Sequence, residues 1–402
     1  MKTNLLDSLK KTKEGQLADS ILRKCVHCGF CNATCPTYQI LGDENEGPRG
    51  RIYLIKQLLE GAEVSNATRD HLDHCLTCRN CETTCPSGVQ YTDLLEIGKK
   101  YIEESKAYPF RERFIRDALL NTLPYRRRFK FFLSAGRFFS PILPKALCLK
   151  IPAKVAKGKW STQQHTRRML ILDGCVQPTL SPDINSATSR VLDKLGITLV
   201  NIKKAGCCGA ISQHLNKEKD AQQMMKHNID AWWPAIEAGA EAIVTTASGC
   251  GLMIKDYAKY LQDDPQYAEK ARFISNLCKD IAEVIALEDY AKLATETPRA
   301  ISWHPPCTLQ HGQKITGVVE KILIDCGYQL NPIKDAHLCC GSAGTYSILQ
   351  PELSSQLGDN KIANLEQNKP EMIVTANIGC QTHLQERTKT PVKHWVHLLL
   401  ES

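Results

Sequence analysis

Two cysteine runs carry the densest chemistry in the chain. The first is Cys25-Val26-His27-Cys28-Gly29-Phe30-Cys31-Asn32-Ala33-Thr34-Cys35-Pro36; the second is Cys75-Leu76-Thr77-Cys78-Arg79-Asn80-Cys81-Glu82-Thr83-Thr84-Cys85-Pro86. Both read C-x2-C-x2-C-x3-C-P, the spacing that wraps a loop around a [4Fe-4S] cube. In such runs the first three thiolates hold three corners of one cube, and the fourth ligates the other. That rule assigns Cys25, Cys28, Cys31 and Cys85 to one cube, and Cys75, Cys78, Cys81 and Cys35 to a second. Two C-x2-C pairs would also hold a structural zinc, but a zinc leaves the remaining cysteines, the proline and the repetition unexplained. Disulfides suit such tight spacing less well than a metal does.

A second cysteine set lies further along. Cys175, Cys207, Cys208 and Cys250 are followed by Cys307, Cys339, Cys340 and Cys380, at offsets of 132, 132 and 130 residues for Cys175 to Cys307, Cys207 to Cys339 and Cys250 to Cys380. Cys-Cys-Gly recurs at 207–209 and 339–341, and Ile243-Val244-Thr245-Thr246 is echoed by Ile373-Val374-Thr375-Ala376. Internal duplication follows. Adjacent cysteines strain to chelate one iron but can reach different irons, and Gly209 and Gly341 let backbone amides approach the sulfurs. The set reads as at least one further iron–sulfur site, with redox-active thiols or the remnant of a lost site as alternatives. Cys148, Cys278 and Cys326 have no counterparts and read as structural. Within the cluster loops, His27 and Arg79 occupy spacers where a positive charge would raise a cluster's potential; Arg79 reads more simply as a solvated surface group. His304 and His383 flank second-half cysteines as candidate ligands or proton carriers, a non-ligand role being the expectation.

Several elements must position these residues. A helix is expected over residues 1–24, with others over 48–59, 68–76 and 91–102, the last two flanking the second run. These make a small helical domain with a thin apolar core that leans on its metal bonds. Residues 110–123 read as a helix. From 124 to 160 there are ten Lys or Arg and no acidic residue, interleaved with Phe129, Phe131, Phe132, Phe138 and Phe139. The prolines at 124, 141, 144 and 152 are expected to prevent a long regular element there. That stretch suits an anionic membrane surface or a partner subunit better than nucleic acid, or it simply covers the domain beneath. Beyond 168, short apolar strands (169–172, 197–200, 242–246, then 300–303 and 372–376) alternate with helices (187–195, 221–238, 318–326), the pattern of parallel α/β sheet. The cysteines fall at the carboxyl ends of these strands, where open α/β sheets place their sites.

The expected architecture is therefore α+β and multidomain. A helical ferredoxin-like two-cluster domain (1–110) leads to a basic aromatic segment (111–165). Two cysteine-rich α/β half-domains (166–298 and 299–402) follow, related by a pseudo-two-fold. With 402 residues and 43% hydrophobic content there is room for these cores. Nineteen cysteines suit a reducing compartment. The start is polar, unlike a secretory signal, and no run of eighteen apolar residues exists to span a bilayer. Neither a G-x-G-x-x-G fingerprint in a strand–helix setting nor a P-loop is present.

Twin ferredoxin runs followed by two cysteine-cysteine-glycine domains resemble a family of iron–sulfur electron carriers. It includes heterodisulfide reductase subunits, the iron–sulfur component of the anaerobic glycerol-3-phosphate dehydrogenase, lactate-utilisation proteins and the iron–sulfur subunits of bacterial glycolate oxidases. The likeness to the last is carried by ADSILRKCVHCGFCNATCPTYQILGDENEGPRGRIYLIKQ, HCLTCRNCETTCPSGVQY, NIDAWWPAIEAGAEAI, HLCCGSAGTY and KPEMIVTANIGCQTHL. The resemblance implies a complex in which an FAD-binding subunit oxidises glycolate and a second flavoprotein-like subunit assists. The iron–sulfur subunit would pass electrons to the quinone pool at the inner face of the membrane, as a cytoplasmic, peripherally attached protein with no catalytic residue of its own. Some relatives hold unusual clusters with five cysteines, the fifth from a C-x2-C ending. Here Met253 and His383 stand at those places, which counts against a five-cysteine, disulfide-cleaving site.

Overall fold

The computed structural model describes residues 1–105, 108–142, 151–295, 297 and 299–400. The N-terminal domain is helical, built on Lys13–Lys24, Pro48–Leu59, Asn66–Asp73 and Tyr91–Ser105. The expected single leading helix is two pieces, Asp7–Lys10 and Lys13–Lys24. Thr12 interrupts it by capping the second piece, its side chain accepting from the Gly15 amide. Ile21, Leu22, Ile55, Leu58, Leu59, Leu72, Leu94 and Leu95 are buried together in one core. Each such side chain contributes about 1.5–3 kcal/mol to that core.

Phe110–Thr122 is helical as the spacing predicts. The basic aromatic stretch departs from expectation: Arg126–Phe139 forms a regular helix of 14 residues. Pro124 and Pro141 bracket it rather than break it, because no proline falls inside. None of its residues is buried, and Phe131, Phe132, Phe138 and Phe139 are exposed. Arg126 anchors its start on Asp173 at 2.6 Å.

Two four-stranded parallel sheets follow. The first contains β1 (Arg167–Ile171), β2 (Ile197–Asn201), β3 (Ile243–Thr245) and β4 (Cys278–Asp280), in the order β2-β1-β3-β4. The second contains β5 (Ala300–His304), β6 (Gln329–Leu330), β7 (Met372–Thr375) and β8 (Val392–His394), in the order β6-β5-β7-β8. The recurring order is the duplication seen in the cysteines. β4, β6 and β8 escape the sequence pattern because each is only two or three residues long, β4 and β8 with a lysine at the centre. Helices Glu218–Glu237 and Pro351–Glu366 occupy matching places after the two Cys-Cys-Gly turns.

The two halves share a core. Val191 and Ile281 of the first pack in one cluster with Trp303, Ile322 and Trp395 of the second. The Ser248 amide donates to the Ala376 carbonyl at 3.1 Å, and His394 Nε2 lies 2.8 Å from the Thr246 carbonyl. The helical domain sits on both halves through its second cysteine run. Arg79 pairs with Asp256 at 2.7 Å and is only 17% exposed, so it is an inter-domain tether and not a solvated group. Asn80 donates to the His337 carbonyl, and Tyr346 Oη donates to the His74 carbonyl.

Candidate metal centres

The two ferredoxin-type loops share one backbone device. Residues in the left-handed region fall at His27 (φ 57°) and Gly29 (φ 86°) in the first and at Thr77 (φ 52°) and Arg79 (φ 60°) in the second. These turns aim amides inward: Thr77 N is 3.5 Å from Cys75 Sγ. A non-glycine residue resists this conformation; the Asp256 pair helps hold Arg79 there. Short helices Phe30–Ala33 and Asn80–Thr84 then carry the chain to the fourth cysteine of each run. Cys25, Cys28, Cys31 and Cys85 line one cavity and Cys35, Cys75 and Cys78 another, with Cys81 reaching both. Each run lends its last cysteine to the other's cavity.

The donor sets suit iron–sulfur clusters. Burial pushes the Cys31 thiol up to about 11, and those of Cys78 and Cys81 well above the ordinary range. Groups of converging buried thiols ionise only where a cation compensates them. The two cavities differ in setting. Cys28 is exposed, and beside it Val26 and Phe30 are 69% and 61% exposed. Cys81 is buried, and Cys78 packs against Cys307 and Cys339 of the second half.

Arg51 belongs to the second cavity, although its role was not legible in the sequence. Fully buried, it donates to Glu46 (2.8 Å), the His71 carbonyl (2.6 Å) and Thr37 (3.1 Å), with Nη1 3.9 Å from Cys35 Sγ. Glu46 also pairs with His71 Nδ1 and His74 Nδ1. Arg51 therefore puts a fixed positive charge beside Cys35, a candidate cluster ligand, the effect expected of His27 and Arg79. The only signal was an arginine on the buried face of the helix over 48–59.

In the first half, Cys175 follows β1 and Cys250 follows β3, with the Cys-Cys-Gly turn after β2. Sulfur contacts run from Cys175 to Cys207, to Cys208 and on to Cys250. Neighbouring sulfurs and burial push the Cys175 and Cys208 thiols up, while Cys207, which accepts from both, is pushed down. Gly209 N is 3.5 Å from Cys207 Sγ. Leu172, Ile229 and Met253 are buried in the apolar cluster that contains Cys208.

The second half repeats the turn, with Gly341 N 3.5 Å from Cys339 Sγ. Gly341 has φ 89°, and a Cβ there would stand 2.7 Å from the Ser354 carbonyl oxygen, so only glycine fits against the following helix. Cys339 Sγ lies 3.7 Å from Cys307 Sγ. As in the first half, the sulfur contacts continue from Cys339 to Cys340 and on to Cys380; here a His304 ring nitrogen joins them, lying with Cys340 Sγ and Cys380 Sγ within 4.8 Å of one another. His383 lies outside that trio, its Nδ1 3.4 Å from Arg387. Lys361, 2% exposed, donates to the Asp335 carbonyl at 2.7 Å. Cys278 and Cys326 are buried, their sulfurs directed at backbone carbonyls, as structural cysteines are. Cys148 lies outside the described residues.

Comparison with known proteins agrees with this geometry. Residues 21–89 match the 4Fe-4S dicluster domain, and residues 169–255 and 301–385 each match the cysteine-rich domain. The chain is 53% identical to the glycolate oxidase iron-sulfur subunit of Escherichia coli (strain K12), over 99% of this chain and 98% of that protein. It is 30% identical to the probable glycolate oxidase iron-sulfur subunit of Bacillus subtilis (strain 168), over 98% and 95%. Lactate utilization protein A of an Exiguobacterium species matches at 27% identity over 53% of this chain and 86% of its own length. No described helix is long and apolar enough to cross a membrane. With its two dicluster loops, its duplicated cysteine-rich half-domains and likeness along its whole length, the chain belongs to the family of glycolate oxidase iron–sulfur subunits, and its cofactors are iron–sulfur clusters.

Proposed function

We propose that this chain is the electron-transferring subunit of a glycolate (2-hydroxy acid) oxidase complex, taking electrons from an FAD-binding partner toward the quinone pool. One observation carries the reading: each ferredoxin-type run lends its fourth cysteine to the other run's cavity, as two neighbouring cubes require. Cys25, Cys28, Cys31 and Cys85 would hold one cube; Cys75, Cys78, Cys81 and Cys35 would hold the other. When bound, such cubes exchange one electron each, which lets a two-electron flavin donor feed a stepwise acceptor.

The residues around the cavities divide the work. Cys28, Val26 and Phe30 open the first cavity to the surface where a flavoprotein would dock. Arg51 and inward amides favour the reduced, more negative state at the second. Cys175, Cys207, Cys208 and Cys250 make a further iron–sulfur site. Substrate oxidation belongs to the FAD-binding subunit, with a second flavoprotein-like subunit assisting. The basic aromatic helix Arg126–Phe139 would rest on the anionic inner leaflet, making a cytoplasmic protein peripherally membrane-bound.

Anaerobic co-purification with metal, sulfide and EPR measurements tests the core of this reading. The two cubes require about eight irons with matching sulfide, rising to about twelve with the first-half site loaded. Glycolate added to the complex should reduce the clusters. Zinc in place of iron, clusters that the flavoprotein partner does not reduce, or unaided glycolate oxidation by this subunit would each overturn it. Reversing the charges of Arg126, Arg127 and Arg128 should abolish sedimentation with anionic vesicles; unchanged sedimentation would remove the membrane role.

A further inference from the structure

The second cysteine-rich half carries a donor set that the first half lacks. His304 ends β5 at 1% exposure, and neither of its ring nitrogens has a hydrogen-bond partner. A buried polar atom left unpaired costs about 1–3 kcal/mol, and an imidazole with both nitrogens free is a metal ligand in waiting. One of those nitrogens and the sulfurs of Cys340 and Cys380 lie within 4.8 Å of one another, all three residues buried. Among the described residues no other three His, Cys, Asp or Glu side chains converge in this way.

We propose that His304, Cys340 and Cys380 bind a single divalent metal of borderline character, zinc or ferrous iron, instead of contributing to a second all-cysteine cluster. One imidazole and two thiolates form a known set for zinc, with a fourth position left to solvent or substrate. Bonds of about 2.0–2.3 Å put ligand atoms on one metal roughly 3.3–3.8 Å apart, a contraction of about 1 Å from the separation limit here. A cube instead spreads its thiolates over separate irons. The Cys339 sulfur touches both Cys307, at 3.7 Å, and Cys340, but stands outside the trio that His304 closes. Asn377 Nδ2 lies 3.7 Å from Cys380 Sγ, an outer contact that orients the thiolate.

The site is specific to this half. Three residues before Cys175 stands Leu172, where His304 stands three before Cys307. Leucine cannot ligate a metal, so the first half cannot form the same centre even with its four sulfurs in place.

The chain is purified anaerobically with the subunits that accompany it, and zinc, iron and acid-labile sulfide are counted. We expect one metal equivalent beyond the clusters: zinc, or iron in excess of sulfide. X-ray absorption at the zinc edge, or Mössbauer spectra of iron-57-enriched protein, should show one mononuclear site with nitrogen and sulfur neighbours. His304→Leu, which installs the first half's residue, should lower that equivalent at least about tenfold while the EPR signals of the ferredoxin-type clusters persist. Equal iron and sulfide with no zinc would overturn the proposal, as would full retention of the extra metal in His304→Leu. Should that variant fail to fold, the spectrum of the unaltered protein decides alone: an extra metal with only sulfur neighbours also overturns it.

Discussion

The two cysteine-rich halves share strand order, the Cys-Cys-Gly turn and the glycine amide aimed at the first sulfur of the pair, yet their linings are opposite in character. Around the first-half sulfurs stand Leu172, Ile229 and Met253, all buried. At matching distances from the second-half cysteines stand His304, Lys361 and His383, equally buried. The same contrast reaches the last strand of each sheet, where Asp280 pairs in register with Thr245 and His394 with Thr375. Duplication kept the scaffold, because strand packing and the glycine turn tolerate little change. Side chains facing the sulfurs are not bound by that packing, and there the halves differ in residue type. The half with buried nitrogens is also the one whose Cys307 and Cys339 adjoin Cys78, so the departure from symmetry falls where the helical domain meets the duplicated one.

Exchanging residues between the halves is the harshest way to break this contrast. Ile229→Lys buries an unpaired ammonium among apolar side chains and should cost about 4–5 kcal/mol in anaerobic denaturation. The reverse change, Lys361→Ile, leaves the Asp335 carbonyl without its donor and should cost about 1–3 kcal/mol. Equal costs would mean the linings are interchangeable. Arg51→Met extends the question to the helical domain, whose second cavity also has a buried cation. Stranding Glu46 beside its two histidines should cost about 3–5 kcal/mol and lower the potential of the cluster that we propose Cys35 helps to hold, read by EPR-monitored redox titration.

The register partners predict opposite pH slopes. Burial pushes the Asp280 carboxyl up to about 7, so its contribution is complete below its ordinary value of 3.8 and is lost as pH rises toward 7. Burial pushes His394 down to about 3, so its contribution is complete above 6.5 and is lost as pH falls toward 3. Asp280→Asn, which keeps the cap on the Ala282 amide, should remove the first slope, and His394→Gln the second. Each change is on the order of a few kcal/mol over its window, read from denaturation midpoints at about pH 5 and pH 7. Slopes of the same sign would refute the contrast. The smallest effect belongs to Arg79→Ala. Its pair with Asp256 is not sealed from water at 17% and 23% exposure, so the loss should be about 1 kcal/mol, seen as faster hydrogen exchange where the helical domain meets the first half.

Much of this was legible in the spacing of cysteines. Their repetition reveals two metal loops and one duplication, because a ligand set must recur at fixed intervals wherever a loop closes around the same object. Helices such as Pro48–Leu59 were readable from apolar period. The helix over Arg126–Phe139 was not, because flanking prolines read as breaks although none lies inside it. Arg79 looked solvated because its partner Asp256 stands far along the chain. Arg51 and Lys361 were invisible as site residues for the same reason: a lone cation in a helix says nothing about what its far end touches.

The order of amino acids alone determined which sulfurs are available, how many loops they form and that one half copies the other. Only the folded chain decided that Cys78 meets Cys307 and Cys339, that Cys339 reaches Cys307 while Cys340 reaches Cys380, and that His304 joins Cys340 and Cys380. Ligand spacing along a loop is a local property that covalent geometry limits. Which side chain completes a buried site depends on strands and helices distant in sequence, brought together by the burial of apolar surface that no single segment can accomplish by itself.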